Sequence, residues 1–99
     1  MVADGDFVAV FQSIHKVMKA EKLLKEKKLP VLLIPEPRAL TSDCGLALRY
    51  GPDAREAVEE VLAGALLIPA DLYVKQGETF HKVDPMKSGK VEGTTNETD

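Results

Sequence analysis

The chain has 99 residues, of which 44% are hydrophobic and 29% charged, and it carries a formal charge of −3. That length supports one hydrophobic core and one domain, and the composition is that of a folded globular chain rather than a disordered one. The slight acidic surplus and the absence of tryptophan argue against nucleic-acid binding, and no apolar run approaches the roughly 20 residues that span a bilayer.

Met1 to Asp6 is acidic and has neither the basic start nor the apolar run of a signal peptide. A single cysteine cannot close an intramolecular disulfide and suits a reducing compartment, so a cytoplasmic location is expected. Phe7-Val8-Ala9-Val10-Phe11 is β-branched and aromatic, which predicts a buried first strand. Ser13 then offers an N-cap hydroxyl to a helix whose apolar positions are Ile14, Val17, Met18, Ala20, Leu23 and Leu24. Lys25, Lys27 and Lys28 suit its negative end, and Pro30 prevents continuation beyond about Lys28.

Val31-Leu32-Leu33-Ile34 reads as a covered second strand, stopped by Pro35 and Pro37. After the loop 36–43, Cys44 to Tyr50 alternates, with Cys44, Leu46, Leu48 and Tyr50 on one face and Gly45, Ala47 and Arg49 on the other. Pro52 fits the first turn of a second helix with an apolar stripe of Ala54, Ala57, Val58, Val61 and Leu62, and Gly64 is its expected stop. Leu72 to Lys75 and Thr79 to Val83 flank a Gln76-Gly77 turn and predict a last strand that is able to extend into a hairpin. From Met86 the chain is polar and aperiodic, so residues 1–85 are expected to form the single domain and 86–99 an unstructured tail. The order strand, helix, strand, strand, helix, strand predicts an α+β ferredoxin-like sandwich, an antiparallel sheet with both helices on one face. That fold hosts many functions, so function has to be sought in residues.

Cys44 stands where the Pro-rich loop meets the third strand. Gly45 leaves its approach open, Thr41 and Ser42 bring hydroxyls that can bond a thiolate, and Arg38 in the same loop brings a cation able to lower a thiol pKa. Against this, the shared parity with Leu46, Leu48 and Tyr50 would turn Cys44 into the core as a small hydrophobe. The expected topology sets the loop at the same end of the sheet as the start of the first helix, where free amides around Gln12 to His15 favour an anion. His15 is there either a base for Cys44 or an exposed polar residue, and His81 has less support. Two separated histidines and one cysteine lack metal-ligand spacing, so neither a metal nor a cofactor is expected. Lys16, Lys19, Lys22 and Lys25 form a ridge on the first helix and Glu56, Glu59 and Glu60 give the second the opposite sign, either docking surfaces or solvated faces. An exposed sheet edge leaves room for a homodimer.

Phe11 to His15, Ala20 to Lys25 and above all Pro37-Arg38-Ala39-Leu40-Thr41-Ser42-Asp43-Cys44-Gly45-Leu46-Ala47-Leu48 resemble a small bacterial family long listed as a domain of unknown function and described as selenium/sulfur (Se/S) carrier-like proteins. The resemblance runs from about Phe7 to Val83. Where the family shows a Ser-rich run before its cysteine, this chain has Thr41-Ser42-Asp43, and a carboxylate beside Cys44 raises a thiol pKa. What the resemblance implies is a carrier rather than a turnover enzyme. Cys44 would hold the chalcogen as a persulfide or perselenide, with Arg38, Thr41, Ser42, Gly45 and Ser13 stabilising the adduct, between donor and acceptor proteins. The alternative is a non-catalytic interaction or regulatory module in which Cys44 is structural.

Overall fold

A computed structural model describes residues 2–40 and 45–83. Its elements are β1 (Phe7–Val10), α1 (Ile14–Glu26), β2 (Val31–Pro35), β3 (Leu46–Tyr50), a 3-10 turn at Pro52–Ala54, α2 (Arg55–Gly64), β4 (Asp71–Gln76) and β5 (Thr79–Val83). All strand pairs are antiparallel, in the order β2-β3-β1-β4-β5. The class is α+β, as expected, but the sheet has five strands rather than the four of the expected sandwich. The fifth comes from the predicted turn: Gln76 pairs with Thr79, and Gly77 takes φ 65, which a two-residue hairpin loop requires. The expected tail 86–99 lies outside the described residues.

Alternation along β1 builds the molecule. Phe7 and Ala9, continued by Phe11, face the helices and pack with Val17, Ala20 and Leu24 of α1, Val58 and Leu62 of α2, and Leu48 and Leu72 of the flanking strands. Val8 and Val10 face the other way and join Ile34, Ala47 and Leu40 in a second cluster, flanked by Val2, Tyr73 and Phe80. The sheet is therefore buried on both faces at its centre.

Three expectations about surfaces change. Ile14 and Met18, read as part of the apolar stripe of α1, are 44% and 51% exposed, because the buried face of that helix is narrowed to Val17, Ala20 and Leu24. Glu59 is not a surface acid of α2. It is 2% exposed, and its carboxylate takes the Arg55 Nε hydrogen bond at 2.6 Å, so only Glu56 and Glu60 of the acidic trio face solvent.

Both helices end in the same way. Leu29 N bonds Leu24 O and Lys28 N bonds Lys25 O at the end of α1, and Leu67 N bonds Leu62 O and Leu66 N bonds Ala63 O at the end of α2. This is the Schellman pattern, whose penultimate residue sits in the left-handed region and is usually glycine. Here Lys28 (φ 62) and Leu66 (φ 59) occupy it, each at a cost of roughly 1–2 kcal/mol. Gly64 is still helical, so the glycine expected to end α2 lies two residues before the left-handed turn.

The free edge at β2 offers a second copy little backbone. Glu36 N bonds Gly45 O at 3.0 Å, so the ladder alternation turns the Leu32 and Ile34 amides toward β3 and leaves Val31, Leu33 and Pro35 outward. Val31 N already bonds Leu29 O and Pro35 has no N–H. Leu33 alone keeps an outward donor for strand addition.

At the other end of the sheet Phe7 stacks on Tyr50, with ring centroids 5.8 Å apart, and the Arg55 guanidinium lies 4.5 Å from the Phe7 centroid. Tyr50 is fully buried and its hydroxyl has no hydrogen-bond partner among the described residues. Burial pushes that hydroxyl's pKa well above its ordinary value, Glu59 adds to the effect, and Arg55 opposes it. A pKa raised on folding contributes stability that is complete below the unfolded value of about 10 and declines as pH climbs beyond it toward the folded value. Tyr50→Phe deletes an unbonded buried hydroxyl and is expected to hold or raise stability at pH 7 by up to about 1 kcal/mol, and to flatten the alkaline decline. Urea unfolding at pH 7 and pH 11 measures both; a loss above about 2 kcal/mol at pH 7 would mean that the hydroxyl is bonded after all.

Candidate functional site

The loop between β2 and β3 leaves the sheet at Pro35 and returns at Leu46, which are partners across the ladder. It is tied at its base by the Glu36 to Gly45 backbone bond. Two prolines flank Glu36, and the chain then turns at Pro37, where Leu40 N bonds Pro37 O at 3.0 Å. Leu40 is 7% exposed and anchors the loop in the cluster of Val8, Val10, Ile34 and Ala47, on the sheet face opposite the helices. Arg38 and Ala39 stay exposed at the tip of this turn. Thr41, Ser42 and Cys44 lie outside the described residues. They belong to a span of four residues bounded by two fixed points, the Leu40 anchor and Gly45.

Gly45 has φ 78, is exposed and precedes the first residue of β3. The third strand therefore starts at Leu46, not at Cys44 as expected. A left-handed residue interrupts the two-residue alternation, so the parity that grouped Cys44 with Leu46, Leu48 and Tyr50 does not carry across Gly45.

Ser13 caps α1 as expected. Its Oγ accepts the Lys16 amide at 3.3 Å, and Val17 N bonds Ser13 O. The first bond commits one of the four free donors of the first turn, the second is the first regular bond of the helix, and no acceptor among the described residues takes the Ile14 or His15 amides. The β1–β3 register, which pairs Val10 with Ala47, runs on toward Gln12 and Gly45, so the start of α1 and the loop base share one end of the sheet. The loop tip does not join them: Leu40 takes it to the opposite face, and Arg38 makes no ion pair or hydrogen bond with Ser13, His15 or any other described residue. His15 is exposed, and His81 lies on β5, where its Nε2 is 3.1 Å from the Thr79 hydroxyl.

One residue of this region was not singled out in the sequence. The Oε2 of Glu36 is buried and has no hydrogen-bond partner among the described residues. A buried acceptor without a donor is costly, and here it sits directly across the ladder from Gly45, the neighbour of Cys44 in sequence. The Pro-Glu-Pro setting was its signal, since prolines on both sides restrict the backbone that aims the side chain. Among the described residues no group of three or more His, Cys, Asp or Glu is placed to hold a metal, and no helix is long and apolar enough to cross a membrane.

The described structure is thus a small α+β domain with one loop tied at its base and anchored at Leu40, at the end of the sheet where a helix begins. The family described as "Putative Se/S carrier protein-like" matches residues 6–74, which takes in β1 through most of β4 and the whole loop. The chain belongs to that family. No curated protein and no solved structure matches the chain.

Gly45 gives a direct test of the loop base. A Cβ there would meet nothing within 4 Å among the described residues, yet the backbone is left-handed. Gly45→Ala is therefore expected to cost about 1–2 kcal/mol from conformation alone, while Arg38→Ala leaves stability within about 0.5 kcal/mol. Denaturant unfolding of the two variants checks the contrast.

Proposed function

We propose that this protein is a chalcogen carrier in which Cys44 accepts a sulfane sulfur or selenium atom from a donor protein and hands it to an acceptor. For sulfur, the Cys44 thiolate attacks the outer sulfur of a donor persulfide. The Cys44 S–S bond forms, the donor S–S bond breaks, and the donor leaves as a thiolate that takes up the proton Cys44 gave away. No net oxidant or reductant is needed, and the reverse exchange with an acceptor thiol completes the cycle. The selenium version follows the same steps as a perselenide.

The observation that carries this reading is the family match over the whole β2–β3 loop, whose described ends are the buried Leu40 and the bonded Gly45. Arg38 is an exposed cation in that loop with no partner among the described residues, suited to an anionic adduct. Thr41, Ser42, the Gly45 amide and the helix start at Ser13 are the proposed hydrogen-bond donors; because the Ser13 hydroxyl itself is already an acceptor for Lys16, the neighbouring amides are the better donors there. Glu36 joins this set as the acceptor for the Cys44 proton, which would give its unpartnered oxygen a donor.

The same reading places the protein in the cytoplasm, where a lone thiol stays reduced, and takes residues 1–85 as the working unit. It also takes the sheet as a ferredoxin-like arrangement with β5 added at one edge; what supports this is the order β-α-β-β-α-β and the place of β1 between β3 and β4. The alternative, a structural Cys44 in an interaction module, draws on the exposed lysines of α1.

In a reconstituted assay with a persulfide-forming donor and a thiol acceptor, Cys44→Ser is expected to abolish transfer and Arg38→Ala to slow loading about 3–10-fold by removing a neighbouring positive charge. Transfer that survives Cys44→Ser sinks the carrier. Tolerance of Cys44→Ala, with partner binding lost on reversing Lys16, Lys19 and Lys22, establishes the alternative.

A further inference from the structure

Helix α2 passes into β4 through residues 65–70, and this connection presents large apolar side chains to solvent. Leu66 is 84% exposed and Ile68 52%, while Leu67 between them is buried in the core. Leu66 also holds the left-handed φ of 59 that would suit glycine. Its side chain is thus kept at a conformational cost while touching little of its own chain. Strained backbone and exposed apolar surface each concentrate where a protein meets another molecule, and here they coincide in one residue.

Beside Leu66 lies a groove between α1 and this connection, lined by Lys19, Lys22, Leu23 and Glu26 on one wall and by Ala65 and Leu67 on the other. The groove runs on between the helices past Val61 and Gly64. Lys19 and Lys22 are exposed and have no ion-pair partner among the described residues. Ala70 N bonds Val10 O at 2.8 Å, which fixes the connection at the end of β1 that also faces the base of the Cys44 loop.

We propose that Leu66, Ile68 and the adjoining groove are the docking surface for the protein that exchanges chalcogen with Cys44, and that this partner presents one or two apolar side chains flanked by carboxylates. The choice of partner rests on the carrier reading; the surface itself does not require Cys44. Leu66 and Ile68 supply apolar area to bury, Leu23 lines the cleft between them and α1, and Lys19 and Lys22 attract the flanking carboxylates and set orientation.

The test places a photoreactive benzoylphenylalanine at Ile68 in the full chain, crosslinks in cells and identifies the adducts and the crosslinked segment by mass spectrometry. The expected adduct is a protein whose crosslinked segment is apolar with flanking Asp or Glu. Its yield should fall at least about fivefold with Leu66→Gly and also with the pair Lys19→Glu and Lys22→Glu. Leu66→Gly relieves the left-handed strain, so its Tm should rise while capture falls, which separates lost docking from lost folding. Yield unchanged by these substitutions, or no greater than that of the same probe at Glu56 on the opposite end of α2, overturns the surface. A captured protein that exchanges no sulfur with the native chain, and is held equally by Cys44→Ser, leaves the docking surface standing and removes the carrier reading; protein-to-protein transfer indifferent to Leu66 does the reverse.

Discussion

Burial of β1 on both faces is the constraint on which the rest of this molecule depends. Phe7 to Phe11 lies between 0% and 7% exposed at every position, which in a chain of this size is possible only for a strand with a neighbour on each side and packing above and below. Pairing to β3 and β4 supplies the neighbours, α1 and α2 cover one face, and Leu40 helps to cover the other. Because Leu40 is drawn into that second face, the loop that contains Cys44 is part of the packing scheme rather than an appendage. The strand that organises the core also delivers the chain to Ser13 and α1 at the same end of the sheet.

The polar groups near β1 divide by role. At its start, Asp6 accepts the Arg49 guanidinium at 2.7 Å and the Ala3 amide at 2.9 Å, and Asp4 accepts Gly77 N at 2.6 Å, so the N-terminal segment is fastened across the sheet and to the hairpin turn. On the helix face, Arg55 serves Glu59 and the Phe7 ring together. These contacts explain structure, although the buried Arg49 Nε keeps no partner among the described residues. The loop end also holds groups without partners among the described residues: the Glu36 carboxylate oxygen, the Ile14 and His15 amides, and Arg38. Amide donors left available at one end of the sheet are what a site for an anionic adduct requires.

Much of this was legible in the chain itself. Strands β1 to β4, both helices, the Ser13 cap and the Gln76-Gly77 turn follow from local periodicity and turn chemistry, which need no knowledge of distant contacts. Glu59 was misread because its carboxylate is paired with Arg55, which itself lies over the Phe7 ring, contacts that pattern alone cannot supply. Ile14 and Met18 have helical spacing that fits the stripe, but α1 buries a face only three residues wide, a consequence of how the helix sits on the sheet. The start of β3 was set one turn of the alternation too early because the pattern through Cys44 is unbroken in sequence, and only the left-handed Gly45 ends it. The second core cluster was invisible for a similar reason: a leucine in a Pro-rich loop gives no local sign that it will close a sheet face.

The central claim is that Cys44 is an accessible, ionisable thiol able to hold a chalcogen atom. The most direct measurement is the pH dependence of Cys44 alkylation in the native protein, compared with the protein in urea, with intact mass determined after exposure to inorganic polysulfide. The account predicts a native alkylation rate near neutral pH at least comparable to that in urea, and a mass gain of one sulfur that is removed by a reducing thiol. A native thiol that reacts only as the protein unfolds, with no added sulfur, would make Cys44 a packing residue and contradict the carrier reading.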